Sequence, residues 1–519
     1  MEVRFLPPER PSIMGLSTVG RRGRRRGKGV APYVMPRYKG PDPRRVRKPV
    51  PRKESPSLVA VVLAAGQGKR LRSKLPKVLH PLCGRASLWH VLKAAQAARP
   101  RALVVVVHQG RELVEEAIRS WDLRPEPVFV DQIEQLGTGH AVLAAEGAVG
   151  GADEVLVLSG DDPLVTGDHV RALMRVHRRT RAAASILTTE LVDPKGYGRV
   201  IREGTELVQI VEESDATPTE RRIKEVSTLV YAFRREDLYK ALPLVERQAA
   251  NGEYYLPDVL PILKEKGEKV SAVPVDLGGA LGVNTRAQLA RATAIMRRNI
   301  NERHMQAGVT LLDPAQTYID VDVRIGSDTV IHPLTFLEGR TRIGKGCVIG
   351  PATRIGDSRV GDRAAIQFSV VRESRIGADA EVGPYANLRP GTVLDAGAKV
   401  GTFVEVKKSR VGKGSKVPHL SYVGDATIGK NVNVGAATVT VNYDGYDKHP
   451  TVIGDDARIG SDTMLVAPVK VGKGAVTGAG SVISRDVPAG ALAVERSDQK
   501  IIRGYRKRKD GEKRGRGKG

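Results

Sequence analysis

The chain has 519 residues, of which 41% are hydrophobic and 27% are charged, as in an ordinary globular protein. Its longest apolar run, about eight residues from Leu58 to Ala65, is too short for a transmembrane helix, and no secretory signal is visible. Two cysteines, Cys83 and Cys347, exclude a disulfide framework and an all-cysteine metal site, and they suit a reducing cytoplasm.

The two ends carry most of the formal net charge of +26. Residues 1–55 contribute +12 and residues 498–519 contribute +7. Both ends are rich in Gly or Pro and poor in aliphatic residues, so we predict that each is a basic, disordered extension. Such segments can bind RNA or another polyanion, although a solubilising tail or an upstream start codon is the simpler interpretation.

Residues 56–285 alternate strand-like and helix-like runs. The strand-like runs include Leu58–Gly66, Ala102–Gly110 and Glu154–Asp162, and the helix-like runs include Ser87–Ala98 and Arg111–Trp121. This alternation predicts a mainly parallel sheet covered by helices on both faces. Because ligands bind such sheets at the carboxyl ends of the strands, the loops after Leu63 and Leu158 are candidate sites.

The pattern changes after residue 285. Residues 286–307 contain neither Gly nor Pro and have helical periodicity, so we predict a helical linker over 286–308. From 309 to 497 an aliphatic residue followed by Gly recurs repeatedly, and the spacing within blocks is a multiple of six. This period fits neither a helix nor an alternating strand, and it predicts a hexapeptide β-helix. The longest later gap, Val439–Pro450, predicts a protruding loop.

A glycine-rich loop follows the first predicted strand, in the run LAAGQGKRLRSKLPK from Leu63 to Lys77. Gly66 and Gly68 allow backbone amides to approach a phosphate, and Lys77 can return a cation to it. Neither a Walker A loop nor GxGxxG is present, so the composition alone indicates only a weak phosphate site.

The same loop, with LPKVLHPL, begins a series of motifs that resembles the nucleotidyltransferases joining a sugar 1-phosphate to a nucleoside triphosphate. The other motifs, in family order, are QLGTGHA (135–141), SGDDPL (159–164), DPKGYGR (193–199), IVEESDAT (210–217), NGEYYLPD (251–258) and GVN (282–284). Together with the hexapeptide β-helix, about 85% of the chain resembles the bifunctional N-acetylglucosamine-1-phosphate uridylyltransferase/glucosamine-1-phosphate acetyltransferase family. This resemblance implies an α/β fold: a Rossmann-like nucleotidyltransferase domain over 56–285, then a left-handed parallel β-helix acetyltransferase domain over 309–497.

The resemblance also implies the residues of the first site. The uridine nucleotide site would be lined by Leu63, Ala64, Ala65 and Gly66, with Lys77 on the phosphates. Its uracil and ribose would be contacted by Gln132, Gly137 and Thr138. The N-acetylglucosamine would be contacted by Gly198 and Glu212, and Mg²⁺ would be held by Asp161 and Asn284. One carboxylate and one amide oxygen suit Mg²⁺, which takes its other ligands from phosphate and water.

Ser227 and Leu229 depart from the family pattern, which usually has Asn and Gly at these positions. The family Asn contacts the sugar, and Ser offers fewer hydrogen bonds while Leu is bulkier than Gly. We therefore expect UDP-N-acetylglucosamine to be bound at Ser227 more weakly, by ~1–3 kcal/mol, at a site that still works.

Polar residues interrupt the hexads between Asn387 and Val469. A lone histidine is more often structural, but His419 lies in a PHLSYVGD run that resembles the family's catalytic position. There it would act as the general base for acetyl transfer to an amine. By the same resemblance Arg389, Lys407, Tyr422 and Asn433 would bind glucosamine phosphate, and Ala436, Asn442, Tyr443, Ser461, Ala479 and Arg496 would bind acetyl-CoA. Lys448 is either a further contact to CoA phosphates or a solvated surface lysine.

The resemblance implies a two-reaction enzyme. Its β-helix would acetylate glucosamine 1-phosphate, and its first domain would couple the product to UTP with Mg²⁺, giving UDP-N-acetylglucosamine for cell-envelope polysaccharides. It also implies a cytoplasmic homotrimer with acetyl sites between adjacent β-helices. Two alternatives stay open: a single-activity sugar-1-phosphate nucleotidyltransferase with a regulatory or oligomerising β-helix, and a polyanion-binding protein that acts through its basic tails.

Overall fold

A computed structural model describes residues 56–66, 68–204, 206–248, 252–279 and 282–516, without the side chains of Lys69 and 514–516. The predicted disorder of residues 1–55 lies outside this part of the chain. Among the described residues, no helix combines the length and the apolar character that crossing a membrane requires.

The first part of the chain is built on a nine-stranded sheet. In chain order the strands here are β1 (Leu58–Leu63), β2 (Pro81–Leu82), β3 (Arg85–Ala86), β4 (Ala102–Val107), β5 (Pro127–Asp131), β6 (Glu154–Ser159), β7 (Ala184–Glu190), β8 (Arg199–Glu203), β9 (Glu206–Val211), β10 (Glu225–Arg234) and β11 (Val270–Pro274). The sheet order is β11-β7-β10-β6-β1-β4-β5, with β8 on β10 and β9 on β8, while β2 and β3 pair separately. Along this order only β10 runs antiparallel to its neighbours, so the predicted mainly parallel sheet is confirmed.

Helices cover both faces of this sheet, because its strands are apolar on both sides. The helices are α1 (Ser87–Gln96), α2 (Arg111–Arg119), α3 (Thr138–Ala144), α4 (Glu146–Val149), α5 (Gly167–Thr180), α6 (Arg235–Ala241) and α7 (Val259–Glu265). In β1, Ala60 and Val62 enter one hydrophobic core, and Val59 and Val61 enter the other. This is the two-residue period of a strand buried between two layers.

A single long helix, α8 (Arg286–Gln306), connects the two parts of the chain. The Thr285 hydroxyl caps it by accepting a hydrogen bond from the backbone N–H of Gln288 at 3.2 Å. Further along, Met296 and Ile300 belong to the hydrophobic core of the β-helix, and Asn301 Nδ2 donates to the carbonyl oxygen of Pro314 at 2.8 Å. The linker is therefore packed onto the second domain.

The second part is a parallel β-helix with three flat faces, of eleven, ten and nine strands. Face 1 consists of Thr310–Leu311, Val330–Ile331, Val348–Ile349, Ala365–Ile366, Glu381–Val382, Lys399–Thr402, Lys416–His419, Asn433–Val434, Arg458–Ile459, Val476–Thr477 and Leu492–Ala493. Face 2 consists of Thr317–Ile319, Thr335–Glu338, Arg354–Gly356, Val370–Arg372, Asn387–Leu388, Glu405–Lys407, Tyr422–Gly424, Val439–Val441, Met464–Val466 and Val482–Ile483. Face 3 consists of Arg324–Ile325, Arg342–Ile343, Arg359–Val360, Arg375–Ile376, Val393–Leu394, Arg410–Val411, Ala426–Ile428, Thr451–Ile453 and Val469–Val471.

The stacking of the coils explains the aliphatic–glycine pairs. The aliphatic residue points inward, as Ile355 and Ile453 do in the buried core. The following glycine lies against the backbone of the next coil: a Cβ on Gly361 would stand 2.6 Å from the nitrogen of Ala378, and one on Gly454 would stand 2.6 Å from the nitrogen of Lys473. Only a residue without a side chain allows the coils to approach this closely.

Two irregular segments emerge from the β-helix. Between Val441 and Thr451 the chain leaves the coils, and Tyr446 is 91% exposed, so this segment protrudes as predicted. The C-terminal tail differs from the predicted disorder, because Tyr505–Arg516 form a helix, α9. Acid–base pairs one turn apart support it locally, including Lys509 Nζ with Glu512 Oε2 at 3.0 Å.

Candidate active sites

A pocket of about 650 Å³ opens at the carboxyl ends of β1 and β6, where the sheet topology places ligands. Nine of the predicted site residues line it: Leu63, Ala65, Gly66, Lys77, Gln132, Gly137, Thr138, Asp161 and Asn284. A Cβ on Gly66 would meet nothing within 4 Å, so its backbone faces open space in this pocket.

Three polar groups from distant parts of the sequence meet in the pocket. Lys77 Nζ donates to Asn284 Oδ1 at 2.6 Å and also forms an ion pair with Asp161. Although burial opposes ionisation, the Lys77 ammonium holds the pKa of Asp161 below its ordinary value. Asp161 is therefore an anion here, and its carboxylate and the Asn284 amide oxygen both lie on one cation.

The adjacent carboxyl group, that of Asp162, is only 5% exposed. Burial and the neighbouring charge of Asp161 raise the pKa of Asp162 well above its ordinary value. Its Oδ1 accepts a hydrogen bond from the backbone N–H of Gly282 at 2.6 Å.

The opposite wall of the pocket is held together by side-chain to backbone hydrogen bonds. Gln132 Nε2 donates to the carbonyl oxygen of Gly137 at 2.9 Å, and the Thr138 hydroxyl accepts from the N–H of Leu256 at 3.0 Å. Gly137 has a φ of +98°, and a Cβ there would lie 2.6 Å from the carbonyl oxygen of Tyr254. Glycine is thus required for this wall to close on the 254–256 segment.

Four predicted residues of the first site do not line this pocket. Ala64 packs into a hydrophobic core instead, because neighbouring strand residues face opposite ways. Gly198 and Glu212 lie together, since a Cβ on Gly198 would stand 3.0 Å from Glu212 Oε1. Ser227 is buried, and its hydroxyl lies 3.1 Å from the Tyr231 hydroxyl.

Sequence reasoning missed several side chains that do line the pocket. They are Arg70, Gln135, Ser159, Leu229 and Glu253. All except Leu229 lie within the quoted motifs, so membership of a motif was the signal that could have identified them. For Leu229 the sequence indicates only a side chain bulkier than the family glycine. In the structure this residue also has a φ of +51°.

A second pocket, of about 570 Å³, lies on face 1 of the β-helix and contains His419 and Asn433. His419 is exposed and ends the strand Lys416–His419, at the corner where face 1 turns into face 2. No group of three or more His, Cys, Asp or Glu side chains suited to a metal occurs among the described residues, here or elsewhere.

Arg389, Lys407 and Tyr422 lie around the corner from His419, on or beside face 2. Arg389 Nη1 pairs with Glu405 Oε1 at 2.9 Å. The protruding loop returns to this face, where Lys448 lies close to Lys407, and this contact lowers the pKa of Lys448. Within one described chain, the four predicted glucosamine phosphate residues are thus divided between two faces.

Three of the residues predicted to bind acetyl-CoA lie in a column along the corner between faces 1 and 2. Asp462 N–H donates to Ala436 O at 2.7 Å, and Gly480 N–H donates to Ser461 O at 2.8 Å. Arg496 Nη1 then donates to Ala479 O at 3.1 Å. Ala436, Ser461 and Ala479 consequently occupy successive coils and leave a shallow strip of small side chains below His419. Asn442 and Tyr443 instead follow the face 2 strand Val439–Val441 and begin the protruding loop, where Asn442 Nδ2 donates to Asp425 Oδ2 at 2.5 Å.

An apolar ridge follows this corner toward the other end of the β-helix. It consists of Leu334, Phe368, Tyr385, Phe403 and Leu420, which are 37–60% exposed and have positive φ. The rings of Tyr385 and Phe403 stack with their centroids 5.3 Å apart. Exposed apolar patches of this kind mark interaction surfaces.

The fold and the two sites define a sugar nucleotidyltransferase domain joined to a hexapeptide-repeat transferase. Family models agree: residues 60–225 match the MobA-like NTP transferase domain, and residues 450–485 match the bacterial transferase hexapeptide repeat. Bifunctional protein GlmU of Heliobacterium modesticaldum is 50% identical over 87% of this chain and 98% of its own. That of Listeria monocytogenes serotype 4a is 48% identical over 86% of this chain and 98% of its own.

The chain therefore belongs to the family of bifunctional GlmU proteins. It is a bifunctional enzyme, a uridylyltransferase and an acetyltransferase, rather than the single-activity alternative. The inositol-1-phosphate CTP transferase of T. maritima, a solved structure, covers 47% of this chain and 96% of its own with 22% identity. Its TM-score of 0.37 is too low to add to this assignment.

Proposed function

We propose that the chain makes UDP-N-acetylglucosamine in two steps at the two pockets. At the β-helix, acetyl-CoA would acetylate the amine of glucosamine 1-phosphate. In the first domain, the phosphate of N-acetylglucosamine 1-phosphate would then attack UTP and release pyrophosphate. The observation that carries the proposal is the convergence of Lys77, Asp161 and Asn284 in one pocket, with His419 in a separate one.

The uridylyl transfer needs positioning and charge stabilisation and no protein nucleophile. An oxygen of the sugar phosphate attacks the α-phosphorus of UTP, and the bond from that phosphorus to the pyrophosphate oxygen breaks. Lys77 supplies positive charge to the phosphates, while Gln132 and Gly137 form the wall against which the base rests. Gly198 and Glu212 lie together beside β8 and β9, and there they would contact the sugar.

The residues present fit a magnesium ion. Asp161 and Asn284 already direct two oxygens at one cation, the Lys77 ammonium, and oxygen ligands of this kind are those that Mg²⁺ prefers. Bound there, Mg²⁺ would neutralise charge on the phosphate oxygens.

The acetyl transfer needs a base near an exposed groove. His419 takes a proton from the attacking amine, the amine nitrogen bonds to the thioester carbonyl carbon, and the bond to the CoA sulfur breaks. Arg389 and Lys407 provide the positive charge that would hold the sugar phosphate. The strip formed by Ala436, Ser461 and Ala479 leaves room for an extended thioester arm.

Two observations support a homotrimer with the acetyl site between copies. The residues expected to bind glucosamine phosphate lie on two faces, so one chain does not gather them into one cleft within its described part. The apolar ridge runs beside His419, and a neighbouring β-helix seated on it would cover the exposed rings and complete the cleft.

The cytoplasm suits this function. Cys83 and Cys347 are unpaired thiols, as expected in a reducing compartment, and acetyl-CoA and UTP are intracellular substrates. The basic ends keep their predicted capacity for polyanions as a secondary property, separate from catalysis.

A product assay that leaves out one component at a time tests the proposal. Glucosamine 1-phosphate, acetyl-CoA, UTP and Mg²⁺ together should give UDP-N-acetylglucosamine, free CoA and pyrophosphate. Without UTP, only CoA and N-acetylglucosamine 1-phosphate should form. Supplying that product with UTP and Mg²⁺ should restore pyrophosphate release without acetyl-CoA. Failure of either half-reaction would refute the assignment of its domain.

A further inference from the structure

We propose that Asp162 is a positioning residue for the first site: its side chain fixes the loop that carries Asn284 against the strand end that carries Asp161. The inference rests on the proposed function, because it assumes that Asp161 and Asn284 bind the metal together.

The contact that carries the inference joins two distant segments. Asp162 follows β6, and its Oδ1 accepts a hydrogen bond from the backbone N–H of Gly282 at 2.6 Å, 120 residues away in the sequence. Asp162 is 5% exposed and Gly282 is also buried. A buried N–H that loses its acceptor is left without a hydrogen bond, which is unfavourable, so this bond holds the two segments together.

The 282–284 loop is short, and each of its three backbone N–H groups donates a hydrogen bond. Val283 N–H donates to the carbonyl oxygen of Asp161 at 2.8 Å, and Asn284 N–H donates to Gln288 Oε1 at 2.9 Å. Gly282 itself has a φ of +38°, and a Cβ on it would stand 3.4 Å from both Asp162 Oδ1 and Asn284 Nδ2. Gly282 therefore lies between the side chains of Asp162 and Asn284, in contact with both.

Asp162 does not belong to the substrate pocket. It borders a separate void of about 10 Å³ among Leu164, Leu277 and Ala292, which is too small for a substrate. Its effect on the reaction is consequently indirect, through the position of Asn284 relative to Asp161. Partners of this kind, one layer behind metal ligands, typically change metal affinity by about 10–100-fold.

The test compares Asp162→Asn, which keeps an oxygen acceptor, with Asp162→Val and Asp162→Ala, which remove it. Hydrogen exchange of the peptide spanning 276–289 reports on the loop without metal or substrate. We expect faster exchange of this peptide in the Val and Ala variants and near wild-type exchange in the Asn variant. Because two variants remove the acceptor, the test can still be completed if one of them fails to fold.

The second readout is the Mg²⁺ concentration that gives half-maximal pyrophosphate release from UTP. We expect it to rise about tenfold in the Val and Ala variants, with much of kcat recovered at high Mg²⁺, and to change little in the Asn variant. CoA release by the same preparations is the folding control and should stay at the wild-type level. Unchanged loop exchange and unchanged Mg²⁺ dependence in the Val and Ala variants would overturn the inference, as would equal losses in all three variants. A wild-type chain that released no pyrophosphate would instead refute the proposed function.

Discussion

Leu229 is held in a backbone conformation that suits glycine. Its φ of +51° lies in the left-handed region, which costs a residue with a side chain roughly 1–2 kcal/mol. It lies within the β-bulge of β10 between Ser227 and Tyr231, and its side chain lines the pocket of the first domain. The departure from the family glycine therefore introduces both backbone strain and bulk at the site.

Replacing Leu229 with Gly should relieve the strain and enlarge the pocket. For Leu229→Gly we expect KM for N-acetylglucosamine 1-phosphate to fall by roughly fivefold, the equivalent of about 1 kcal/mol, with kcat for CoA release unchanged. Pyrophosphate release at varied sugar phosphate measures the first quantity. A higher KM in the glycine variant would show that the leucine side chain contributes to binding.

His419 should carry the proton transfer of the acetyl step alone. For His419→Ala we expect CoA release to fall by at least ~100-fold and pyrophosphate release from UTP to be unaffected. His332→Ala is the matched control, because His332 follows a face 1 strand at the equivalent corner several coils earlier. Acetylation at the wild-type rate in His419→Ala would show that His419 is not the general base.

Glu212 should make folding stability depend on pH near neutrality. Burial, assisted by Asp258 and Asp215, raises its pKa from 4.5 to about 7. Between these values the folded chain keeps a proton that the unfolded chain has lost, so this contribution to stability is present below the lower value and is lost as the pH rises through the upper one. In Glu212→Gln the melting temperature should therefore fall less between about pH 5 and about pH 8 than in the wild type. Parallel melting curves for the two proteins would contradict the raised pKa.

At the scale of the elements, glycines that follow the inward aliphatic residues allow the coils to stack closely. Gly454→Ala would place a methyl group 2.6 Å from the nitrogen of Lys473, and such overpacking costs about 1–3 kcal/mol. We expect a lower melting temperature and a loss of acetyl transfer. Gly356→Ala is the control, because the nearest atom to its Cβ, Glu338 Oε2, is 3.8 Å away and its φ is not positive. Equal effects of the two substitutions would mean that the coils tolerate a methyl group.

The elements that the sequence predicted well are those whose pattern repeats a local contact. The sequence period of strand β1 and of the hexads predicts how they pack, because each inward-facing residue contacts the corresponding residue of the adjacent strand or coil. The partner of Ser227 follows instead from a bulge, which no period encodes. The helix Tyr505–Arg516 was missed because its support is short-range charge pairing within a composition typical of disorder.

At the scale of the whole molecule, the proposed homotrimer would bury the apolar ridge. The chain has a mass of 56.0 kDa, so a trimer should have a mass of about 168 kDa in light scattering. Phe403→Asp, at a side chain that is 58% exposed, should give smaller species and lose CoA release while pyrophosphate release continues. Arg375→Gln, at an exposed position on face 3, which does not border the ridge, should leave the mass unchanged. A Phe403→Asp protein of full trimer mass would locate the contact elsewhere.

Helix α8 belongs to both halves of the chain, and this has a practical consequence for dividing it. Ala292, Met296 and Ile300 fill the first coils of the β-helix, while Gln288 anchors the backbone of Asn284. A cut before residue 286 removes Gln288, and with it the hydrogen bond to the backbone of Asn284, from the first domain. A cut after residue 306 removes α8 from the β-helix and exposes the apolar residues that α8 covers. No single truncation point yields two intact fragments, so each reaction is best assigned by point substitution in the undivided polypeptide.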